Sequence, residues 1–169
     1  MILRFAGSRV TLYTLPCLLV AGVLAALWWH SHGKPQKIAL ADGTVLLLRP
    51  GSTVQSAPGY PHPRSLHIDG EFLIEAAPAA DVLEIRTRLL ILTVVGHSKI
   101  HVIAHSSEPG EQVEVLFGDV TAHKNYPSKY NEPDHLGRGE MSMINQSIDL
   151  MEKEKVGPAE ARSWGETFR

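Results

Sequence analysis

Short apolar runs, separated at close intervals by turn residues, limit how this 169-residue chain can fold more than any other feature. The run KIALADGTVLLL carries Asp42-Gly43 between two apolar stretches, and SLHIDGEFLIEAA carries Asp69-Gly70 in the same way. An Asp-Gly pair flanked by such stretches predicts a β-hairpin, because a tight type I′ turn requires positive φ at both central residues. The two pairs therefore predict two hairpins of an all-β domain.

The other runs continue this pattern. In the second predicted hairpin, alternation predicts four inward-facing residues, which are Leu66, Ile68, Phe72 and Ile74. A turn is predicted at Pro50-Gly51, and the proline-rich stretch APGYPHPR is predicted to be a loop. The stretch DVLEIRTRLLILTVVG predicts one or two buried strands ending at Gly96. Further strands are predicted in KIHVIAH, QVEVLFGDVTAH and GEMSMINQSIDL.

Helices do not account for these runs. Val, Ile and Thr are enriched in them, and the pieces between glycines are shorter than typical helices. We therefore predict a mainly β fold, built either as an antiparallel β-sandwich or as a short solenoid-like β domain. Both arrangements bury alternating apolar positions, so the sequence leaves the choice between them open.

The first thirty residues hold one long apolar segment, VTLYTLPCLLVAGVLAALWW, which has no charged side chain. A helix of about twenty residues spans the ~30 Å hydrocarbon core of a bilayer, and Trp28 and Trp29 end the segment where tryptophan favours the interface. A cleaved signal peptide is the competing interpretation. The apolar run exceeds the usual ~7–15 residues of a signal peptide, and no small-x-small cleavage site follows it. We therefore predict one transmembrane helix over residues 10–29.

The domain organisation follows from this helix. Residues 1–9 would be a short cytoplasmic N-terminus, and residues 30–37 would be a linker. Residues 38–150 are predicted to form the β domain, and the charged residues 151–169 are predicted to be a solvated tail or the stub of a C-terminal small domain. Positive charges before the helix favour a cytoplasmic N-terminus, which places the β domain outside the cytoplasm.

Charge and motifs argue against several function classes. The net charge of −2 gives no electrostatic support to a nucleic-acid partner. Cys17 is the only cysteine and lies in the apolar segment, so no disulfide or cysteine metal cluster can form within one chain. The sequence contains neither a Gly-x-Ser-x-Gly elbow nor a glycine-rich phosphate loop. Glu71, Glu75 and Glu84 are interpreted as solvent-facing carboxylates rather than as paired catalytic acids.

Histidine is the one enriched reactive residue type, with nine copies. His97, His101 and His105 are spaced four apart, which on a helix would place them on one face where a metal could bind. The surrounding sequence predicts a strand, in which residues four apart are separated by ~13 Å. One zinc ion cannot bridge that distance, so we interpret the three as surface imidazoles. We assign no catalytic, cofactor-binding or metal-ligating residue and predict that the protein is not an enzyme.

Six motifs in chain order resemble those of the FecR-type proteins of bacterial cell-surface signalling. The stretch LADGTV at 40–45 resembles the start of their extracytoplasmic domain, and Arg64 with the SLHIDGEFLIEAA that follows resembles their next motif. VLEIRT at 82–87, LTVVGHSKIHV, VEVLFGDVTA and the LGRGE of 136–140 resemble four later motifs. The stretch ARSWGETF is similar to the one that introduces a small C-terminal domain in this family. The resemblance covers residues 37–168.

The resemblance implies a single-pass protein of the bacterial inner membrane with its β domain in the periplasm. It implies a regulator of anti-sigma type that relays the state of a receptor towards an extracytoplasmic-function sigma factor, in nutrient or iron uptake. The implied partners are the lipid bilayer, a TonB-dependent outer-membrane receptor, and a sigma factor or a separate anti-sigma subunit. No cofactor is implied. Residues 1–9 are too few to fold as the cytoplasmic domain that binds the sigma factor in this family.

Two further expectations follow. The family's Gly-Thr corner is replaced by Gly96-His97 with one extra residue before Ile100, which predicts a β-bulge. Exposed strand edges can accept a partner strand, and we expect the edge nearest the C-terminus to do so. The alternative function is a membrane-anchored structural or adhesive β module without transcriptional output.

Overall fold

A computed structural model of the protein describes residues 34–157. These residues form ten β-strands and one 3-10 turn, Gln146–Ile148, between the last two strands. The mainly β fold class is confirmed. The strands are β1 (Gln36–Ala39), β2 (Val45–Leu48), β3 (Thr53–Ser56), β4 (Ser65–Ala76), β5 (Leu83–Arg86), β6 (Leu90–Ala104), β7 (Gly110–Lys124), β8 (Asp134–Leu136), β9 (Glu140–Asn145) and β10 (Leu150–Lys155).

The ten strands form one hydrogen-bonded sheet in the order β1-β2-β4-β5-β6-β7-β9-β10, with β3 paired to β4 and β8 paired to β7. The predicted antiparallel arrangement is wrong at one place, because β5 runs parallel to the first residues of β4. The remaining pairs are antiparallel. A single mixed sheet therefore replaces the two predicted alternatives, a sandwich of separate sheets and a solenoid.

A bend in β4 replaces the hairpin predicted at Asp69-Gly70. The residues before the bend pair with β3 and β5, whereas those after it pair with β2 and β6, so the two arms do not pair with each other. A straight strand of 12 residues would extend ~40 Å. Arg64 precedes β4 and Ala77 follows it, yet the Arg64 Nη2 donates a hydrogen bond to the Ala77 carbonyl oxygen at 3.2 Å. The strand therefore folds over, and the predicted hairpin is wrong.

The β6–β7 pair bends in a similar way. Its register jumps from Val95 opposite Asp119 to Lys99 opposite Phe117, so extra residues on β6 bulge out at Gly96. The predicted bulge is confirmed, but the prediction that a strand ends at Gly96 is wrong, since β6 continues to Ala104. Opposite the bulge, a Cβ on Gly118 would lie 2.7 Å from the Ser98 Cα, which explains why a glycine stands there.

One hydrophobic core lies inside the folded sheet. The four predicted inward residues of β4, which are Leu66, Ile68, Phe72 and Ile74, are each at most 1% exposed, and that prediction is confirmed. They pack with residues of both arms of β6 and β7 in a single cluster. Burial of a large aliphatic or aromatic side chain stabilises a fold by about 1.5–3 kcal/mol, so this cluster holds the two arms of each bent strand together.

The two remaining predicted turns are present. β1 and β2 form the predicted hairpin, in which Gly43 N donates to Leu40 O at 3.0 Å and Gly43 has φ 85°. Leu40 N also donates to Thr44 O at 2.8 Å, so the loop consists of the three residues 41–43, with one positive-φ glycine rather than the expected type I′ turn. At Pro50-Gly51, Ser52 N donates to Arg49 O at 3.0 Å, and APGYPHPR is a loop as predicted.

The predicted ends of the β domain shift. β1 begins inside the segment predicted as a linker, and β10 extends to Lys155, so residues 151–155 are a strand rather than a solvated tail. No helix within residues 34–157 has the length and apolar character needed to cross a bilayer. The predicted transmembrane helix over 10–29 and the N-terminus 1–9 lie outside the described residues.

Candidate functional site

The candidate site is built around the β9–β10 hairpin. The Asn145 side-chain oxygen accepts a hydrogen bond from Ser147 N at 2.9 Å and so starts the 3-10 turn. Asp149 ends the turn in the left-handed conformation, with φ 49°. Its carboxylate accepts hydrogen bonds from Lys124 Nζ and Ser128 Oγ, both at 2.8 Å, and these lower the pKa of Asp149. The turn is thereby fixed to the end of β7.

A groove of about 650 Å³ lies beside this turn. Three of its lining residues are exposed apolar side chains, Met143 at 37%, Leu150 at 45% and Ile148 at 67%. Strand pairing places Ile103 opposite Gln112 and Gln112 opposite Met143, so the groove follows one row of side chains across three strands. Clustered exposed apolar residues next to polar ones are typical of a binding surface.

The ionisable lining of the groove is mostly acidic. Glu108 and Glu152 line it together with Glu111, and His105 is the one basic-type residue among its lining. Glu111 is 4% exposed and accepts hydrogen bonds from Leu89 N at 3.1 Å and from the Thr87 hydroxyl. Burial disfavours its charged form and raises the pKa of Glu111 despite these hydrogen bonds. The carboxylates of Glu108 and Glu152 therefore favour an apolar group that carries positive charge.

The outer edge of β10 borders the groove. Within residues 34–157, β10 pairs with β9 and with no other strand. Its groove face carries Leu150, Glu152 and Glu154, and its opposite face carries Lys153 and Lys155. If two copies of the chain paired antiparallel by a two-fold axis, residues of the same face would stand opposite each other. Glutamate would then meet glutamate, which is destabilising, so this edge is suited to a different strand.

Of the three histidines of the metal hypothesis, His97 and His101 lie on β6 as predicted, and His105 directly follows the strand. His105 lines the groove, and the ring of the exposed His97 lies 5.3 Å from that of Phe117. The prediction of a surface imidazole is wrong for His101, which is 1% exposed with Nε2 3.1 Å from Glu71 Oε1. Across residues 34–157, no three His, Cys, Asp or Glu side chains are placed to hold a metal ion.

The three candidate carboxylates are dispersed over the sheet. Glu75 is exposed and Glu84 partly exposed, in agreement with the predicted solvent-facing position. Glu71 differs, because its side chain is only 17% exposed and contacts Arg49 at 3.5 Å and His101 at 3.1 Å. Burial alone would raise its pKa, but the hydrogen bond with His101 and the charge of Arg49 lower the pKa of Glu71. Glu71 therefore pairs with Arg49 and His101 instead of serving as a free acid.

Sequence reasoning missed a buried ion pair between Asp42 and Arg64. The Arg64 Nη2 lies 2.8 Å from Asp42 Oδ2, and the two side chains are 3% and 6% exposed. Burial would raise the pKa of Asp42, but Tyr60, the hydrogen bonds of Thr44 and the guanidinium of Arg64 together lower it to about 2. The Tyr60 hydroxyl lowers the pKa of Asp42, although it forms no hydrogen bond of ordinary geometry with any described residue. The pair joins the β1–β2 turn to the start of β4 and is structural.

No protein-family model and no curated protein matches this chain. Two crystal structures of a "putative anti-sigma factor" from Parabacteroides distasonis, at 2.50 and 1.65 Å resolution, are similar in fold. Each is 20% identical to the chain in sequence, with a TM-score of 0.68. The match covers 79% of this chain and 61% of the Parabacteroides chain, so this chain spans less than two thirds of the protein that it resembles. The two proteins share a fold.

Proposed function

We propose that the protein is a regulator of the anti-sigma type that acts by contacting other proteins. The observation that carries this proposal is the fold shared with the Parabacteroides protein over 79% of the chain. The six motifs that resemble FecR-type proteins support it independently. The candidate site also suits protein contact, because it combines a strand edge that is unpaired within residues 34–157 with an apolar, acidic groove.

The proposal extends to the setting in which the regulator works. Residues 10–29 would anchor the chain in the bacterial inner membrane, with the β domain in the periplasm. The chain would relay the state of a TonB-dependent outer-membrane receptor towards an extracytoplasmic-function sigma factor, either directly or through a separate anti-sigma subunit, in nutrient or iron uptake. The apolar N-terminal segment and the family resemblance support this setting. We propose no chemical step, so the chain would not be an enzyme.

Crosslinking in cells tests the proposal. The full-length chain is crosslinked in its native host, purified from solubilised membranes, and its partners are identified by mass spectrometry. We expect a sigma factor, an anti-sigma subunit or an outer-membrane receptor among them. Leu150→Lys alters the groove and should reduce recovery. Val82→Lys is the matched control, because Val82 is 48% exposed, comparable to the 45% of Leu150, and does not line the groove.

The exposed apolar groove also suits a second candidate function, a structural or adhesive module. The apolar side chains exposed in the groove could equally hold an envelope protein. Recovery of envelope proteins alone, with no signalling protein, would contradict the regulator and support the module. Equal loss of partners from both lysine variants would show that the groove is not the contact surface.

A further inference from the structure

We propose that the outer edge of β10 binds an extended segment of a partner protein in which acidic and basic residues alternate ahead of an apolar residue. The segment would add an antiparallel strand to the sheet. Three features of β10 support this partner. They are the backbone groups on its outer side, the opposite charges of its two faces, and the groove beside its first residue.

The backbone of β10 can bond such a segment. In an antiparallel pair, the N–H and C=O groups of every second residue point to the same neighbouring strand. Val156 N donates to Gly139 O at 2.8 Å, so the even-numbered residues of β10 point these groups towards β9. Met151, Lys153 and Lys155 therefore point theirs to the outer side, where residues 34–157 supply no strand. A partner strand would satisfy these groups.

The groove face of β10 is acidic. Glu152 and Glu154 lie on it, and their neighbours on β9 are Met143 and Met141, which supply no cation. Opposite charges directly across an antiparallel pair are stabilising, whereas like charges are destabilising. A strand added to β10 should therefore place basic side chains opposite these two glutamates.

The other face of β10 is basic. Lys153 and Lys155 lie on it next to Glu140 of β9, whose Oε1 lies 3.4 Å from Lys153 Nζ. A single carboxylate does not balance two ammonium groups, so this face favours acidic residues on the added strand. Because successive side chains of a strand point to opposite faces, the added strand should alternate basic and acidic residues.

The groove selects the apolar end of the segment. Leu150 begins β10, lines the groove and is 45% exposed, so an apolar residue opposite it would remove that surface from water. The residue opposite Glu152 would stand in the same row as Met143. Lysine and arginine suit that position, because their apolar stems can pack on the methionine while their charged ends meet the carboxylate.

The turn beside the groove is held in place from both sides. Arg88 Nη1 donates to the Gln146 side-chain oxygen at 2.7 Å, and Lys124 Nζ donates to the Asp149 carboxylate at 2.8 Å. These contacts join the β9–β10 turn to the start of β6 and to the end of β7. A surface that is already ordered loses less conformational entropy when it binds, which favours a short segment as its ligand.

The resulting pattern is specific. From its N-terminus, the segment would carry acidic, basic, acidic and basic residues opposite Lys155 to Glu152, and it would end on an apolar residue opposite Leu150. A second copy of β10 does not supply this pattern, because a two-fold pair places glutamate opposite glutamate. That the segment belongs to a signalling protein rests on the proposed function. The strand site itself is tested below with peptides alone.

Fluorescence polarisation of labelled peptides titrated with the full-length chain in detergent tests the proposal. The alternating peptide is Glu-Arg-Glu-Arg-Val-Leu. The grouped peptide, Glu-Glu-Arg-Arg-Val-Leu, is the matched control because it has the same composition and net charge. In the antiparallel register, the grouped peptide places two like-charged pairs across β10. The native chain should bind the alternating peptide about four- to twentyfold more tightly, the effect of two cross-strand pairs.

Exchanging two charges on β10 should invert this preference. The double variant Lys153→Glu/Glu154→Lys has the same composition as the native chain. Each charged residue of the grouped peptide would then stand opposite a residue of opposite charge, while the alternating peptide would meet two like charges. The variant should therefore bind the grouped peptide more tightly, by a similar factor. Circular dichroism shows whether the variant keeps the β fold.

Equal binding of the two peptides by the native chain would overturn the proposal, as would binding of neither. A folded double variant that keeps the native preference would also overturn it. These outcomes are distinct from failure of the proposed function. Native preference for the alternating peptide, combined with unchanged transcripts after deletion of the gene, would contradict the regulator but support the strand site.

Discussion

Replacing Gly70 by alanine should destabilise the fold strongly, because β4 bends there. Gly70 has φ 121°, and a Cβ at this position would lie 2.6 Å from the Cα of Ser52. Holding alanine in such a backbone conformation costs roughly 1–3 kcal/mol, and overpacking costs roughly another 1–3 kcal/mol. Ser52 cannot move aside freely, because its hydroxyl accepts a hydrogen bond from Glu71 N at 2.9 Å. The expected loss in the free energy of unfolding is therefore roughly 2–6 kcal/mol.

Gly51→Ala is the matched control for this prediction. Gly51 has φ 86°, but no other atom lies within 4 Å of the position that a Cβ would take, so only the conformational cost applies. Urea unfolding of the full-length chain in detergent, followed by circular dichroism, gives the free energy of unfolding of both variants. The Gly70 variant should be less stable than the Gly51 variant by roughly 1–3 kcal/mol. Equal losses would refute the close approach of β4 to Ser52.

Two further predictions concern pH. Because the pKa of Asp42 is lowered to about 2, its ion pair with Arg64 stabilises the fold above about pH 4, and about 2 kcal/mol is lost as the pH falls towards 2. Asp42→Asn should abolish this dependence on pH. Urea unfolding between about pH 2 and 7 measures the free energy of unfolding of both proteins, and parallel curves for the native protein and the variant would contradict the prediction. Burial raises the pKa of the Glu111 carboxyl. The protonated carboxyl therefore stabilises the fold below the ordinary pKa of 4.5, and this stabilisation is lost as the pH rises through the raised pKa. Glu111→Gln keeps an oxygen that can accept from Leu89 N, and its stability should not fall between about pH 4.5 and neutrality as that of the native protein does.

The inward face of β4 could be predicted from sequence because side chains alternate across a strand whatever the strand pairs with. Leu66, Ile68, Phe72 and Ile74 follow that alternation through the bend without a change of face. The bulge near Gly96 was predictable for a similar reason, since one extra residue in a strand must be left unpaired. Both features are local to the chain.

The two Asp-Gly pairs show where local reasoning fails. Asp42-Gly43 closes a hairpin, whereas Asp69-Gly70 lies inside one continuous strand. Both glycines have positive φ, 85° and 121°, and both follow an aspartate, so the local signature is the same. At Gly70, Ser52 approaches the backbone from a distant part of the chain, whereas a Cβ on Gly43 would meet only the Ala77 Cβ at 3.5 Å. A single sequence does not reveal such a contact.

The candidate site was only partly predictable. The sequence predicts that the edge nearest the C-terminus accepts a strand, but the charged residues 152–155 wrongly predict a solvated tail where β10 lies. Alternating charges suit an edge strand, in which both faces remain in contact with water. The sequence likewise predicts a surface position for His101, which is buried. Its strand has neighbours on both sides, and the pairing with Leu73 and Glu114 follows from tertiary structure rather than from the local sequence.

Transcript measurement after deletion of the gene tests the central claim, regulation of the anti-sigma type, most directly. Cells lacking the gene are compared with cells that regain either the native chain or the Gly70→Ala variant, under nutrient limitation and in rich medium. We predict that deletion changes the transcripts controlled by one extracytoplasmic-function sigma factor. The native chain should restore them, and the destabilised variant should restore them less. Unchanged transcripts in the deleted strain under both conditions would contradict the claim.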